Sequence, residues 1–196
     1  MDFDADYTRY QTERSLLRKW VRRAYLRSAA SQLTGPTLDF GCGVGELLQR
    51  LPAGSRGLEY NPATVAYCQH IGLPVQAYDG FADDWNLGVL PADCRLESMV
   101  ISHVLEHLDD PMDILRRLLK AATRHGVRKV LVIVPGKAGY RIDSTHRTFV
   151  DRAMLLQPSI TEDSGFAVRS ARWFPGNLRA IGDWFPHHEL QVVFER

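Results

Sequence analysis

Short apolar segments alternate with amphipathic ones along most of this chain, and this alternation constrains the fold more than any other feature. Five runs rich in β-branched or apolar residues each end at Gly, Pro, Asn, Asp or His, which is typical of short buried strands. They span residues 37–41, 57–61, 75–79, 98–104 and 129–136. Three segments with apolar residues at helical spacing lie among them, at 45–51, 62–71 and 111–122. Strands that alternate with helices predict a parallel α/β sheet.

The last part of the chain departs from this alternation. We expect a helix near residues 148–157, followed by two further strands at 166–174 and 187–195 that are joined by a short loop. Strands joined in this way pair antiparallel, so a hairpin is expected at one edge of the sheet.

Size, charge and cysteine content restrict the class of protein. A chain of 196 residues that is 45% hydrophobic and 24% charged can bury one full core, so we expect a single domain over residues 1–196. A formal charge of +1 gives no overall preference for nucleic acid or acidic lipid. Three separated cysteines, an acidic N-terminus and the lack of a long apolar run predict a cytoplasmic protein without a disulfide framework or membrane anchor.

The segment SHVLEHLDDP at residues 102–111 contains the spacing H-x-x-E-H, which in some zinc hydrolases places two imidazoles and a general base on one helix. Here residues 98–104 have the composition of a strand, and Asp110 with Pro111 has that of a helix start. The segment therefore occupies a strand-to-helix connection, which has no room for the long helix of a zinc protease.

A third zinc ligand is also lacking, because Glu162 and Glu189 fall in loop-like and strand-like contexts. We therefore expect no metal, and we interpret Glu106 and His107 as helix-capping or surface groups. In open α/β sheets the carboxyl ends of central strands line the ligand site, so this connection predicts a binding crevice.

A glycine-rich turn follows the first predicted strand, in LDFGCGVGELL at residues 38–48. Gly41, Gly43 and Gly45 allow a tight turn and the close approach of a ligand to the backbone. Glu59 ends the second predicted strand, where a carboxylate can accept both hydroxyls of a ribose. This combination predicts a cofactor that contains a ribose.

Two common cofactor classes do not fit the turn. The dinucleotide fingerprint G-x-G-x-x-G requires glycine where the chain has Glu46, and the G-K-[ST] of a phosphate loop is absent. Asp39 would repel a pyrophosphate and instead suits a cationic ligand.

Taken in order, D-x-G-x-G-x-G at 39–45, Glu59, YDG at 78–80 and SHVLEHLDDP at 102–111 resemble the motifs of a class I S-adenosylmethionine-dependent methyltransferase. The resemblance covers about residues 36–157. It implies a Rossmann-like three-layer sandwich whose seven-stranded, mostly parallel sheet ends in an antiparallel C-terminal hairpin. It also implies S-adenosylmethionine as the cofactor.

The resemblance further assigns roles to individual residues. Asp39 and the turn at 41–45 would hold the methionine end, and Glu59 the ribose. Asp79 would face the adenine amine, with Tyr60 as the apolar neighbour of the adenine. His103 and Val104 would lie near the transferable methyl group. The full set expected at the cofactor from this part of the chain is Asp39, Gly41, Cys42, Gly43, Gly45, Glu59, Tyr60, Asp79, Gly80, His103 and Val104.

Related enzymes often fold an N-terminal segment over the cofactor. On this resemblance residues 1–34 are expected to form a helical lid, with Tyr7, Tyr10 and Arg14 at the cofactor. An aromatic ring in that segment could lie against the sulfonium.

The acceptor chemistry points to two histidines. Methyl transfer from a sulfonium is a direct displacement, so the protein mainly supplies proximity and a desolvated pocket. A hydroxyl or amine acceptor also needs a base, for which His146 and His103 are the candidates. We favour His146, because the excursion that follows Gly136 can carry it over the mouth of the pocket. The expected function is methyl transfer to an oxygen or nitrogen of a small-molecule acceptor.

Two alternatives stay open. An RNA-modifying methyltransferase would use the basic residues of the N-terminal segment, which are Arg14, Arg18, Lys19, Arg22, Arg23 and Arg27. A noncatalytic domain that binds S-adenosylmethionine or a protein partner is the second alternative. Ubiquinone-biosynthesis O-methyltransferases resemble the loop at 103–107 but carry E-x-x-E-H to hold a divalent metal, and the first of those acids is His103 here. The expectation of no metal is therefore unchanged.

Overall fold

The structure is a computed structural model that describes the backbone of residues 16–196 and the side chains of residues 22–196. Tyr7, Tyr10 and Arg14, which were expected at the cofactor, lie outside the described residues. None of the helices within 16–196 is long and apolar enough to cross a membrane.

Strands and helices alternate along the described part of the chain. The strands are β1 (Thr37–Phe40), β2 (Arg56–Glu59), β3 (Val75–Ala77), β4 (Ser98–Ser102), β5 (Lys129–Pro135), β6 (Ala167–Phe174) and β7 (Glu189–Glu195). The α-helices are α1 (Leu16–Ala30), α2 (Pro62–His70), α3 (Pro111–Arg124), α4 (Lys137–Arg141) and α5 (Arg152–Leu155). Short 3₁₀ helices cover Leu48–Arg50, Leu105–His107, Pro158–Ile160 and Arg179–Asp183.

These strands form one sheet of seven strands in the order β3-β2-β1-β4-β5-β7-β6. Neighbours among β1 to β5 pair parallel. β7 pairs antiparallel with both β5 and β6. The predicted mostly parallel sheet with an antiparallel C-terminal hairpin is confirmed.

Helices cover both faces of this sheet, which gives three layers. α3 packs Ile114 into a core cluster with Met99 and Ile101, whereas α1 packs Leu26 into a second cluster with Val100. Successive residues of a strand point to opposite faces, so the two helices lie on opposite sides of β4. The predicted Rossmann-like sandwich is therefore also confirmed.

α3 begins where the sequence predicts. Asp110 accepts a hydrogen bond from the Asp113 N–H at 3.3 Å, and Pro111 occupies the first turn. The connection from β4 to α3 contains only the 3₁₀ helix Leu105–His107, so it is the short strand-to-helix connection expected for SHVLEHLDDP.

The helix predicted at 45–51 is wrong. Gly45 has a φ of +75°, which lies outside the right-handed helical region, and only the 3₁₀ helix Leu48–Arg50 forms beyond it. The glycine turn at 41–45 is therefore not followed directly by an α-helix.

Two C-terminal predictions also need correction. The helix expected near 148–157 shortens to Arg152–Leu155. It begins after Asp151, which caps it by accepting the Met154 N–H at 2.9 Å, and it cannot continue through Gln157, which Pro158 forces into an extended conformation. The connection between β6 and β7 is not short but spans residues 175–188. It reaches the end of β5, where the Gly136 N–H donates to the His188 carbonyl at 2.7 Å.

Candidate active site

The carboxyl ends of the central strands lie side by side. Phe40 of β1 is in register with Leu58 of β2 and with Ile101 of β4. Gly41 and Glu59, which follow these positions, therefore meet at the edge where open α/β sheets bind their ligands.

Glu59 is fixed at this edge by two backbone donors. Its Oε2 accepts the Gly43 N–H at 2.9 Å, and its Oε1 accepts the Asn61 N–H at 2.9 Å. Each carboxylate oxygen can accept a further hydrogen bond. The carboxylate is thus oriented by the glycine turn with acceptor capacity left for two hydroxyls, which fits a ribose.

Gly41 is required by a close approach between two turns. It has a φ of +71°, and a Cβ on it would lie 2.4 Å from Val104 Cγ2. The turn after β1 therefore packs directly on the turn after β4. Two of the residues expected at the cofactor are in contact for this reason, and only glycine fits the first position.

Asp39 is a buried carboxylate of β1 with an unused oxygen. It is 2% exposed, and its Oδ2 has no hydrogen-bond partner among the described residues. Burial raises the pKa of Asp39 to about 7, and the charge of Glu59 adds to this effect while Arg22 opposes it. A buried acid in this state is stabilised by a cationic partner.

The residues expected near adenine follow β2 and β3. Tyr60 is 60% exposed, and Asp79 is also exposed. Asp79 Oδ1 accepts the Phe81 N–H at 3.0 Å, which shapes the turn after β3. Gly80 serves packing, because a Cβ on it would lie 2.3 Å from the ring of Trp85.

Cys42 contributes to the site through its backbone. Its N–H donates to the Leu58 carbonyl at 3.1 Å. The side chain is buried in a small cluster that includes Leu48, Val65 and Cys68.

His103 lies between two carboxylates. Its Nδ1 is 3.0 Å from Glu106 Oε1, and its Nε2 is 3.0 Å from Glu189 Oε1. Burial by itself lowers the pKa of His103, but the charge of Glu189 and the hydrogen bonds to both acids outweigh it and raise that pKa to about 10. Both ring nitrogens therefore carry protons at neutral pH, so this geometry does not support His103 as a general base.

The backbone of His103 is also constrained. Its φ of +56° is uncommon for a residue with a side chain. The N–H donates to the Ile133 carbonyl of β5 at 3.0 Å, which helps to hold this conformation. The two ion pairs fix the ring, so both the backbone and the side chain of His103 are held in place.

Glu106 is not the surface or capping group that the sequence suggested. It is 0% exposed, and its Oε2 has no hydrogen-bond partner among the described residues. The Glu106 carbonyl accepts the Arg147 N–H at 2.8 Å, which ties the segment around His146 to the loop after β4. His146 Nε2 lies 4.0 Å from Glu106 Oε1 as a result.

The tautomer of neutral His146 follows from its partner. Nδ1 is 2.8 Å from the Tyr140 carbonyl, which can only accept, so Nδ1 carries the proton and Nε2 the lone pair. The ring stacks on Tyr140 with centroids 5.3 Å apart, and its side chain is 8% exposed. The lone pair is thus presented from a nearly buried and oriented ring.

Glu106, His107 and His146 together form a three-donor cluster. One ligand atom from each lies within 4.8 Å of the others. Burial lowers the pKa of His107, which favours its neutral form, and its Nδ1 lies 3.1 Å from Thr145 Oγ1. Two imidazoles and a carboxylate suit a transition-metal ion, and the unpartnered Glu106 Oε2 fits one. Sequence reasoning missed His146 as the third donor because no local pattern links it to residue 107.

A family model described as methionine biosynthesis protein MetW matches residues 29–141, more than half of the chain. The chain belongs to this family. The match includes the glycine turn, Glu59 and the loop at 103–107, whereas His146 and the C-terminal hairpin of this MetW-family chain lie outside it. No curated protein matches the chain by sequence.

Solved structures share the fold. A SAM dependent methyltransferase from Archaeoglobus fulgidus is 21% identical, with a TM-score of 0.68 over 98% of this chain and 100% of that chain. Magnesium protoporphyrin IX methyltransferase (ChlM) from Synechocystis PCC 6803 with bound SAH is 13% identical, with a TM-score of 0.66 over 98% of this chain and 95% of that chain. Small RNA methyltransferase HEN1 is 18% identical, with a TM-score of 0.61 over 92% of this chain and 25% of that chain. At these identities the likeness shows that the MetW-family chain has the methyltransferase fold.

Proposed function

We propose that this chain binds S-adenosylmethionine and transfers its methyl group to an oxygen or nitrogen of a small-molecule acceptor. The observation that carries the proposal is the Glu59 carboxylate oriented by the Gly43 N–H at 2.9 Å, at the carboxyl edge of the sheet. The printed names of two structural relatives, a SAM dependent methyltransferase and a methyltransferase with bound SAH, support the choice of cofactor.

The cofactor would lie across the ends of three strands. Its ammonium group would contact Asp39, whose buried carboxylate needs a cation, and its ribose would bond to Glu59. Adenine would extend toward Tyr60 and Asp79. The methyl group would then lie near Val104, on the turn that contacts Gly41.

The reaction needs a base on the acceptor side. The acceptor atom attacks the methyl carbon, the carbon–sulfur bond breaks, and S-adenosylhomocysteine leaves. His146 would take the acceptor proton on Nε2, since its Nδ1 proton is engaged by Tyr140. His103 would contribute through its backbone, because two carboxylates hold its ring protonated.

The alternative to a His146 base is a metal ion at the three-donor cluster. Glu106, His107 and His146 would hold a divalent transition-metal ion, with one Glu106 carboxylate oxygen as a ligand. A bound ion would lower the pKa of an acceptor hydroxyl. In that case His146 would be a ligand of the ion, and the acceptor proton would pass to solvent.

An RNA acceptor remains the alternative substrate class. It is supported by the likeness to HEN1, a small RNA methyltransferase. Within the basic helix α1, Arg22 is paired with Glu46, whereas Arg23 and Arg27 are exposed. The small-molecule proposal is preferred because the carboxylates Asp39, Glu59 and Glu106 at the site would repel the phosphates of RNA.

The test uses S-adenosylmethionine with an isotopically labelled methyl group. The protein is incubated with metabolite extract and, separately, with RNA, and labelled products are identified by mass spectrometry. We expect label in a small molecule; label in RNA alone would assign the alternative. Binding of the cofactor without transfer of label to either fraction would favour the alternative of a noncatalytic binding domain.

Calorimetry with Glu59→Gln tests the binding half of the proposal. Loss of the charged acceptor should weaken S-adenosylmethionine binding by about ten- to a hundredfold. Glu162→Gln, which changes an exposed acid, is the matched control and should bind normally. Unchanged affinity in Glu59→Gln would overturn the ribose assignment.

A further inference from the structure

Two of the three cysteines, far apart in sequence, meet beneath the glycine turn. Cys42 Sγ donates to the Gly43 carbonyl at 3.6 Å, and Cys68 Sγ of α2 donates to the same carbonyl at 3.3 Å. The two sulfurs therefore approach one carbonyl oxygen, Cys42 from the glycine turn and Cys68 from α2. Both side chains belong to one small cluster with Leu48, Val65 and Val75.

The peptide between them also orients the cofactor site. Gly43 accepts both thiols at its carbonyl, and the N–H of the same residue donates to Glu59 Oε2 at 2.9 Å. A bond between the sulfurs, at about 2.05 Å, would draw Cys42 toward α2 and remove both S–H donors from the Gly43 carbonyl. The turn would shift, and Glu59 would lose the geometry of its partner.

The pair has an attacking and a resolving member. The interaction with the Cys42 side chain lowers the pKa of Cys68, whereas the interaction with Cys68 and burial raise the pKa of Cys42. Cys68 is therefore the first nucleophile. Both side chains are buried, which restricts the oxidant to a small molecule such as hydrogen peroxide.

We propose that Cys42 and Cys68 form a reversible disulfide that weakens cofactor binding by displacing the glycine turn. The Cys68 thiolate attacks one peroxide oxygen, a sulfur–oxygen bond forms, the oxygen–oxygen bond breaks, and hydroxide leaves and is protonated to water. Cys42 then loses its proton and attacks the Cys68 sulfur, so the sulfur–sulfur bond forms and the second oxygen leaves as water. Two thiols are oxidised and one peroxide is reduced to two waters.

The effect on binding rests on the proposed function, but disulfide formation does not. The protein is treated with hydrogen peroxide, and its intact mass, its nonreduced peptide map and its affinity for S-adenosylmethionine are measured. We expect the mass to fall by about 2 Da and a Cys42–Cys68 linked peptide to appear. Affinity should fall about tenfold, since a hydrogen bond to a charged group is disturbed, and dithiothreitol should restore it.

Single substitutions provide the controls. Cys94→Ser, which removes the cysteine outside the pair, should respond to peroxide like the wild type. Cys42→Ser and Cys68→Ser should give no linked peptide and no peroxide-dependent loss of affinity. The wild-type peptide map decides the question even if either of these variants fails to fold.

Several results would overturn the proposal. Oxygen addition without a linked peptide would exclude the disulfide, and a linked peptide with unchanged affinity would exclude its effect on the turn. Reduced protein that does not bind S-adenosylmethionine would instead contradict the proposed function, while the peptide map would still decide whether the disulfide forms.

Discussion

Binding of S-adenosylmethionine should depend on pH through Asp39. Its pKa is raised to about 7 in the protein without ligand, chiefly by burial. The cofactor's ammonium group would interact favourably only with the ionised carboxylate. Binding should therefore lower the pKa of Asp39 and favour the loss of its proton. The perturbation is therefore a change of pH across neutrality, in the wild type and in Asp39→Asn.

The expected magnitude follows from the ionised fraction. With a pKa of about 7, roughly a tenth of Asp39 is ionised at about pH 6 and roughly nine-tenths at about pH 8. An apparent dissociation constant is the intrinsic one divided by the binding-competent fraction. Affinity should therefore rise about tenfold over this range, and binding near neutral pH should release a proton.

Isothermal titration calorimetry in buffers of different ionisation enthalpy measures both quantities. Asp39→Asn should bind weakly, without this rise in affinity and without proton release from residue 39. Asp93→Asn, an exposed acid, is the matched control and should behave like the wild type. Titration of the cofactor's own amine appears in all three proteins and cancels in the comparison. The same pH dependence in Asp39→Asn and the wild type would refute the assignment of the ammonium to Asp39.

The raised pKa of Asp39 also makes the stability of the protein depend on pH. The folded pKa of Asp39 is raised above its ordinary 3.8, so the folded state holds the proton more tightly than the unfolded one. Without cofactor, the free energy of unfolding should then fall as the pH rises from about 4 to about 7. Asp39→Asn removes the ionisation, so its Tm should exceed that of the wild type at about pH 8 but not at about pH 4.

Three further predictions concern the acceptor side and the N-terminus. Once an acceptor is known, His146→Ala should lower kcat by about 10²–10⁴ while cofactor affinity changes little, and turnover near the wild-type value would leave His146 as a structural residue. The purified protein should contain no stoichiometric zinc by elemental analysis; one ion per chain that is lost in His107→Ala and His146→Ala, yet kept in the exposed control His70→Ala, would instead assign the three-donor cluster as a metal site. Deletion of residues 1–15 should weaken cofactor binding by about two- to thirtyfold while the core stays folded, as judged by a cooperative thermal unfolding transition, and equal affinity would limit that segment to packing.

The fold, and the carboxyl edge of the sheet where the glycine turn lies, could be predicted because their signals are local. Alternating buried strands and amphipathic helices predict the sheet. The glycines after β1 predict a tight turn, because glycine readily adopts the positive φ that such a turn needs. Gly41 illustrates the limit: its positive φ is predictable from the turn, whereas its contact with Val104 depends on β1 and β4 being neighbours.

The acceptor side could not be predicted in the same way, because its contacts join distant parts of the chain. The partner of His103 is Glu189, on the last strand, and β7 reaches it only by pairing antiparallel with β5. Glu106 belongs to the H-x-x-E-H spacing, but nothing in that spacing predicts that this residue of the 3₁₀ helix is completely buried. A side chain's burial in an irregular connection depends on what covers it, and here the cover includes the segment around His146.

The charges that meet at this edge also restrict the acceptor. Two cations, Arg22 and His103, contribute here, and each of them already interacts with an acid. Against them lie five carboxylates, Asp39, Glu46, Glu59, Glu106 and Glu189, so the edge is negative and becomes more so when Asp39 ionises. Such a field attracts a sulfonium and repels an anionic acceptor, and it opposes the loss of a proton from a neutral one. A neutral or cationic small molecule therefore suits the site better than the phosphates of RNA. The same field explains why proton removal would need a dedicated group, either His146 as a base or an ion held by the three-donor cluster.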